Sequence, residues 1–196
     1  MKQVLFVDCC IRKEQSRTKK IADAFFSRLD PKRFAVTTLD LMQTAPRYFS
    51  GDYFWQREKL LQSGELGDPR FDLARQFASA DVIVIAAPIW DLSFPALLKV
   101  YVEQVSLEGV TFQTGEKGLT GLCRASHMVY LTSRGGFFCG SDMEMGSRYM
   151  QAMSRFFGIA QYHAIAADGM DVQGFDSQKE LDRACAEAAA YAERLS

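Results

Sequence analysis

The chain has 196 residues, of which 48% are hydrophobic and 24% charged, a composition typical of a globular protein with one sizeable core. Its formal net charge is -1 at pH 7, which argues against nucleic acid as the main partner. A metal site is not expected either, because the five cysteines form no CxxC pair and the two histidines lie far apart in the sequence.

Strands and helices alternate along the first half of the chain. Residues 3–8 have an unbroken apolar centre and predict a buried strand, followed by a helix over 16–29. The alternating, β-branched residues 34–41 predict a strand at the outside of a sheet. Residues 81–88 are apolar on both faces, as a central parallel strand should be. The next predicted helix covers 94–107, with a proline in its first turn, where proline is tolerated.

The second half continues the alternation. Strands are predicted over 127–136 and 159–167, the first of them ending in a glycine turn, and helices over 142–158 and 176–195. Five strands with helical crossovers predict a doubly wound α/β sandwich of three layers, since right-handed crossovers place helices on both faces of a parallel sheet. We expect one domain over residues 1–196, with the strand order 2-1-3-4-5 assumed from this class of fold.

Three polar loops follow the carboxyl ends of predicted strands. They cover residues 9–18, 89–94 and 133–136. With the assumed strand order the three loops become neighbours, at the edge of the sheet where ligands of such folds bind. The sequence therefore predicts a ligand site that is formed by these loops together.

The first loop has the features of an anion site, although it contains no glycine. Ser16 and Thr18 lie where a helix begins, so their hydroxyls adjoin free backbone N–H groups, and the helix dipole favours an anion there. Arg12 or Arg17 adds positive charge. An equally supported alternative is that Ser16 only caps the helix, a common role for serine.

The second and third loops supply an aromatic side chain and a flexible backbone. Trp90 and Asp91 follow the most buried strand, where a planar heterocycle would meet backbone N–H groups and an aromatic edge. The alternative is that Trp90 packs beneath the next helix while Asp91 or Ser93 caps it. The SRGG segment, residues 133–136, allows the backbone to approach a ring closely, although glycine pairs also mark ordinary turns.

An aromatic segment, RYFSGDYFW, occupies residues 47–55 between the second and third strands. It has too many aromatic side chains for a solvated connection, which predicts a subunit interface or the wall of a substrate site. The alternative is that the segment folds back onto its own domain.

The cysteines and histidines are not expected to carry chemistry. Cys9 and Cys10 at a strand end are typical of core packing, and His127 and His163 lie on predicted strands. The apolar run at the start of the chain is too short for a signal peptide, and no stretch is as long as a membrane span. We therefore expect a cytoplasmic protein with reduced thiols and no membrane partner.

Five segments together match a known family. They are CCIRKEQSRT (9–18), APIWDLSFPALLKVYVEQVSLEGVTFQ (87–113), GLTGL (118–122), SRGG (133–136) and AADG (166–169). On these segments the sequence resembles the flavodoxin-like NAD(P)H quinone reductases, and most closely the FMN-dependent NADH-azoreductase family. The resemblance covers nearly the whole chain, and the segment that begins at Ala87 is the most specific part of it.

The resemblance implies a five-stranded flavodoxin-like fold, a homodimer and non-covalently bound FMN. It implies that Cys10, Ser16 and Thr18 hold the phosphate, with Arg17 between them and Arg12 nearby. The family has serine where this chain has Cys10, and cysteine is a weaker hydrogen-bond partner. The flavin ring is implied to lie against a second set of residues: Pro88, Ile89, Trp90, Asp91, Leu92, Ser133, Arg134, Gly135 and Gly136.

The resemblance also implies a reaction. NADH or NADPH passes a hydride to the N5 atom of FMN, and a quinone or an azo compound then receives two electrons. No side chain is expected to act as a general acid, and backbone amides are expected to contact the flavin edge. Asp91 stands where asparagine is common in the family, and its charge opposes an anionic reduced flavin.

Two functions of other classes remain open. One is a flavodoxin-type electron carrier without substrate turnover, although such carriers are usually strongly acidic and this chain is not. The other is a protein that has lost its flavin and acts through its surface, an alternative that Cys10 and Asp91 raise. A hydrolase is not expected, because the sequence has no GxSxG motif.

Overall fold

The computed structural model describes residues 1–116 and 118–195. In this part of the chain the strands are β1 (Lys2–Asp8), β2 (Phe34–Asp40), β3 (Val82–Ala86), β4 (Phe112–Gly115), β5 (Gly118–Gly121), β6 (His127–Ser133) and β7 (Gln161–Ala167). Five of them form a parallel sheet in the order β2-β1-β3-β6-β7, and β4 pairs with β5 as a separate antiparallel hairpin. The main sheet confirms the predicted strand order.

Helices cover both faces of this sheet. They are α1 (Arg17–Phe26), α2 (Leu41–Thr44), α3 (Gly51–Ser63), α4 (Asp72–Ser79), α5 (Ala96–Val105), α6 (Gly146–Phe156) and α7 (Ser177–Leu195). One core lies between the sheet and α1 with α7, and a second lies between the sheet and α4, α5 and α6. The result is the predicted three-layer sandwich, whose described helices are all too short or too polar to cross a membrane.

Burial explains why the central strands read as continuous apolar runs. Every residue of β3 is buried, and in β1 all residues from Val4 onward are buried, because both faces of each strand are covered by helices. On α1, Ile21 and Phe25 are fully buried four residues apart and pack into the core on that face. Full burial of such a side chain contributes about 1.5–3 kcal/mol to folding.

Three features differ from the sequence prediction. The helix predicted over 142–158 begins only at Gly146, because turns precede it in which the Glu144 carboxylate accepts the Ser147 N–H at 2.9 Å. Helices α2, α3 and α4 and the β4–β5 hairpin were not predicted. The hairpin lies against the end of α6, where a side chain on Gly121 would come within 2.0 Å of the backbone of Gly158.

Candidate functional site

A cleft opens at the carboxyl ends of β1, β3 and β6, where the three polar loops meet. It encloses about 650 Å³, including the space at its mouth. Its walls are formed by twelve of the described residues: Arg12, Gln15, Ser16, Arg17, Pro88, Ile89, Trp90, Ser133, Arg134, Gly135, Met170 and Asp171. The cleft thus has the place in the fold at which α/β sheets of this order bind ligands.

Ser16 lies where the cleft meets the start of α1. Its Oγ accepts the Lys19 N–H at 3.2 Å and so caps the helix, while the same residue lines the cleft. The N–H groups of Arg17 and Thr18 have no acceptor among the described residues, as is usual for the first helical positions. These donors, the helix dipole and the Arg12 side chain make this end of the cleft suitable for an anion.

Two residues predicted for this end lie beneath the cleft surface. The Thr18 side chain is fully buried; its Oγ1 accepts the Ser133 N–H at 3.1 Å and lies 2.7 Å from Ser133 Oγ. It therefore ties α1 to β6, and only its backbone N–H remains for a ligand. Cys10 is also fully buried, with Sγ 3.8 Å from the Ala86 carbonyl oxygen, and burial raises the pKa of its thiol.

The backbone after β3 forms a tight turn at the opposite wall. Trp90 donates its N–H to the Ser93 carbonyl at 3.3 Å, and Ser93 donates to the Trp90 carbonyl at 2.8 Å. Between them Asp91 and Leu92 have φ angles of 47° and 68°, a left-handed conformation that costs leucine about 1–2 kcal/mol. Strain of this kind is concentrated at functional sites.

The turn also decides between the two interpretations of Trp90. Its side chain is 45% exposed and lines the cleft, so it does not pack beneath the following helix. Helix α5 has Pro95 at its N-cap position and no side-chain cap, so neither Asp91 nor Ser93 caps it. The N–H groups of Asp91 and Leu92 have no acceptor within the described part of the chain.

The glycine pair after β6 allows two backbone segments to meet closely. The Asp171 N–H donates to the Gly135 carbonyl at 2.9 Å, and a Cβ on Gly135 would lie only 2.7 Å from Oδ2 of Asp171. Gly136 does not line the cleft; a Cβ there would lie 3.1 Å from the Phe138 ring. Neither glycine N–H has an acceptor among residues 1–116 and 118–195.

Arg134 borders the cleft but directs its side chain into a buried charge network. Its guanidinium donates to Asp168 at 3.1 Å and lies 3.5 Å from the Glu144 carboxylate. The second oxygen of Asp168 accepts the N–H groups of Phe138 and Cys139, at 2.9 Å and 2.6 Å. The arginine thus holds the loop that follows SRGG in place through Asp168.

Three lining residues were not predicted as site residues: Gln15, Met170 and Asp171. Arg17 donates to Asp171 at 2.7 Å, and the side chains of this ion pair are 40% and 72% exposed. Met170 and Asp171 directly follow the AADG segment, which was the only sequence signal near them. The titratable side chains that line the cleft are three arginines and Asp171.

Exposed apolar side chains lie on the loops at this edge of the sheet, and one of them, Trp90, lines the cleft. Leu92 accepts the Met145 N–H at 2.9 Å, and the rings of Phe137 and Phe175 lie 4.9 Å apart. The set, between 38% and 61% exposed, is Trp90, Leu92, Phe137, Met143, Met145 and Phe175. We call it the apolar rim. A cluster of this kind suits a planar, apolar ligand.

The histidines lie on strands, as predicted, but they do not line the cleft. His127 begins β6 at the opposite end of the sheet, with Nδ1 2.8 Å from Ser126 Oγ. His163 lies on β7 and stacks on Tyr191 with 4.4 Å between ring centroids. Both side chains are partly exposed and not deep in the core.

The aromatic segment 47–55 folds back onto its own domain in part and is exposed in part. Phe49 and Tyr53 stack with centroids 5.8 Å apart, and the Tyr53 hydroxyl lies 3.5 Å from Gln104 on α5, so part of the segment folds back. Tyr48 and Trp55, however, are 69% and 68% exposed. They leave an aromatic surface on the outside of the molecule.

Comparison with known proteins agrees with the fold. A family model described as a flavodoxin-like fold matches residues 2–192. An FMN-dependent NADH:quinone oxidoreductase of Clostridium perfringens (strain ATCC 13124) is 34% identical over the full length of both chains. FMN-dependent NADH:quinone oxidoreductase 2 of Clostridium acetobutylicum (strain ATCC 824) is 37% identical over 90% of each chain.

Solved structures show the same architecture. The azoreductase of Bacillus anthracis str. Sterne is 25% identical, with a TM-score of 0.89 over 99% of this chain and 100% of that one. An FMN-dependent NADH-azoreductase of Bacillus anthracis str. Ames Ancestor, solved in complex with FMN, is 21% identical with a TM-score of 0.85 over 100% and 99%. The chain therefore belongs to the flavodoxin-like fold family, among the relatives of the FMN-dependent NADH:quinone oxidoreductases.

Proposed function

We propose that this chain is an FMN-dependent oxidoreductase that transfers two electrons from NADH or NADPH to a quinone or an azo compound. Its relatives named FMN-dependent NADH:quinone oxidoreductases match it over 90% or more of both chains, and they favour NADH as the donor. When bound, FMN supplies the hydride acceptor and the relay of two electrons. The protein supplies binding, orientation and an electrostatic environment.

The observation that carries the proposal is a cleft with an anion site at one end and, within the described part of the chain, backbone N–H groups without acceptors on the loops that form it. At the first end, the N–H groups of Arg17 and Thr18, the Ser16 hydroxyl and the Arg12 side chain fit a single phosphate. Thr18 contributes its N–H and not its hydroxyl, and Cys10 lies below the surface. The loss of the family's serine at Cys10 therefore leaves these donors in place.

The other end of the cleft fits a flat ring with polar edges. Pro88, Ile89 and Trp90 form one wall, and the free N–H groups of Asp91 and Leu92 lie next to it. From the SRGG segment Gly135 lines the cleft, and its N–H and that of the adjacent Gly136 have no acceptor among the described residues. These main-chain donors do not depend on side-chain identity, so Asp91 serves as well as asparagine in this contact.

The apolar rim supports the substrate class. A quinone or an azo dye is flat and largely apolar, and the rim offers exposed aromatic and methionine side chains beside the cleft. No histidine, lysine or glutamate lines the cleft within the described residues, and we expect no side chain to act as a general acid. A flavodoxin-type carrier is not favoured, because the net charge of -1 gives little attraction to a basic partner.

We further propose that the protein works as a homodimer of one-domain subunits in the cytoplasm. Strands from both halves of the chain contribute to one cleft, which supports a single domain over 1–196. The aromatic surface at Tyr48 and Trp55 supports a subunit interface.

The five cysteines are free thiols, which fits a reducing compartment such as the cytoplasm. A sizing column with light scattering tests the dimer, since one subunit has a mass of 22.0 kDa.

A spectroscopic experiment tests the reaction. The purified protein is mixed with FMN, freed of unbound flavin and titrated with NADH without oxygen. The flavin absorbance bleaches if the proposal is correct, and benzoquinone then restores it. A protein that retains no FMN, or retained flavin that neither NADH nor NADPH bleaches, contradicts the proposal.

A further inference from the structure

The ion pair between Arg17 and Asp171 lies at the phosphate end of the cleft. Arg17 Nη1 donates to Asp171 Oδ1 at 2.7 Å, and both residues line the cleft beside Ser16. The two side chains are 40% and 72% exposed, and an exposed pair of this kind contributes only about 0–1 kcal/mol. It is therefore separated easily when a stronger partner for the arginine arrives.

The carboxylate is the more rigid partner of the pair. Asp171 is fixed through its main chain, because its N–H donates to the Gly135 carbonyl at 2.9 Å and Met170 donates to the Arg134 carbonyl at 3.0 Å. Its Oδ2 lies over Gly135, in space that any Cβ there would fill. Arg17 has a long side chain with four rotatable bonds, so the guanidinium is the group that moves.

A phosphate dianion at the start of α1 would meet both charges. The free N–H groups of Arg17 and Thr18 place such an anion directly beside the Arg17 side chain. A guanidinium binds phosphate in a bidentate manner, which is stronger than its single hydrogen bond to Asp171. The Asp171 carboxylate, in contrast, repels the dianion and competes for the same arginine.

We propose that Asp171 weakens the binding of FMN by competing with its phosphate for Arg17, and so keeps the cofactor exchangeable. The proposal rests on the proposed function, because it requires that the phosphate of FMN occupies this end of the cleft. It makes Asp171 a specificity-determining residue: the carboxylate acts on a flavin that carries a phosphate and leaves riboflavin, which carries none, unaffected.

The test compares FMN with riboflavin in one neutral variant. For Asp171→Asn we expect the Kd of FMN to fall about three- to tenfold, since one repelling charge is removed and Arg17 is released. The Kd of riboflavin should change less than about twofold, which also shows that the cleft is intact. Quenching of flavin fluorescence measures both. The matched control is Asp142→Asn, which removes an exposed carboxylate and changes the net charge by the same amount. The gain in FMN affinity of Asp171→Asn should become smaller as salt is added, because salt screens the charges.

A second variant separates competition from general repulsion. Arg17→Gln should weaken FMN binding, and in that background Asp171→Asn should retain less than about half of its gain, because no arginine is left to release. An unchanged or weaker affinity for FMN in Asp171→Asn, or an equal gain with and without Arg17, overturns the inference alone. Failure of the unaltered protein to bind FMN overturns the proposed function as well.

Discussion

Ser16 stabilises the start of α1 and lines the cleft with one hydroxyl. Its Oγ accepts a backbone N–H of the first turn, and an oxygen with a remaining lone pair and a rotating hydrogen can also donate to an anion. Capping and phosphate binding are thus compatible at this position. The same hydroxyl should contribute to the stability of the fold and to cofactor affinity.

Replacement of Ser16 by alanine should lower both the stability of the fold and the affinity for FMN. Loss of the cap should lower the free energy of unfolding by about 1 kcal/mol. Loss of a hydrogen bond to a charged phosphate should raise the Kd of FMN about tenfold. Ser27→Ala, at the other end of the same helix, removes only a bond to the Ala24 carbonyl and is the control. Urea unfolding and flavin titration give the two numbers; an FMN affinity equal to that of Ser27→Ala contradicts the assignment of Ser16.

The buried thiol of Cys9 predicts a pH dependence of stability. Burial, with a smaller effect of the Asp8 charge, raises the pKa of this thiol from 9.0 to about 12. The Cys9 thiol therefore ionises less readily in the folded protein than in the unfolded chain. Its contribution to the free energy of unfolding is fully present below pH 9 and is lost as the pH rises towards 12. One such thiol gives a slope of up to about 1.4 kcal/mol per pH unit.

Cys9→Ala should reduce that slope above about pH 9, whereas Cys139→Ala should not, because Cys139 is exposed. The free energy of unfolding in urea, measured at several values between about pH 8 and 11, gives the slopes. Equal slopes for the two variants would show that Cys9 does not resist ionisation in the folded protein.

At the scale of an element, the turn from Trp90 to Ser93 leaves the N–H groups of Asp91 and Leu92 without an acceptor among the described residues, at the cost of backbone strain. Leu92 is the more strained residue, since it lacks a short polar side chain that hydrogen-bonds locally. Its side chain is 43% exposed, so little packing is lost when it is removed.

Leu92→Gly should therefore raise the free energy of unfolding by up to about 1 kcal/mol, because glycine adopts the left-handed conformation freely. Leu119→Gly, on the exposed strand β5, should lower it by about 1 kcal/mol. Thermal and urea unfolding of the two variants measure the difference between their free energies of unfolding. Equal destabilisation by both substitutions is the result that would refute strain at Leu92.

A second element, the loop after β6, depends on the buried pair of Arg134 and Asp168. Asp168→Ala should destabilise the protein by about 3 kcal/mol, since it removes one of the two carboxylates beside the buried guanidinium and leaves two loop N–H groups without their acceptor. Glu103→Ala, which breaks an exposed pair with Lys99, should cost less than about 0.5 kcal/mol. Urea unfolding compares them, and similar losses would contradict the structural role of Asp168.

At the scale of the whole molecule, the sheet was predictable and the hairpin was not. Continuous apolar runs and the alternation of strands with helical patterns reveal strands that are covered on both faces. The β4–β5 hairpin is short and mostly exposed, and α3 has no buried residue, so neither has a clear apolar period. Their positions follow from tertiary contacts that no local pattern encodes.

The cleft was predictable for a related reason. Loops that follow parallel strands must meet at one edge, which placed Ser16, Trp90 and Gly135 together. The direction of a buried polar side chain is set by its partners in the folded protein. The sequence alone therefore could not show that the Thr18 side chain points towards Ser133. Asp171 is 154 positions from Arg17 in sequence, and nothing in the sequence around it signals that contact.

We place FMN at the carboxyl ends of β1, β3 and β6, where free backbone N–H groups would hold it. Amide NMR spectra of the protein, recorded as FMN is added, test it most directly. If FMN binds there, the largest shifts occur at the N–H groups of Arg17, Thr18, Asp91 and Gly135, and the β4–β5 hairpin is unchanged. Largest shifts at the hairpin, or at any surface away from these loops, would contradict it.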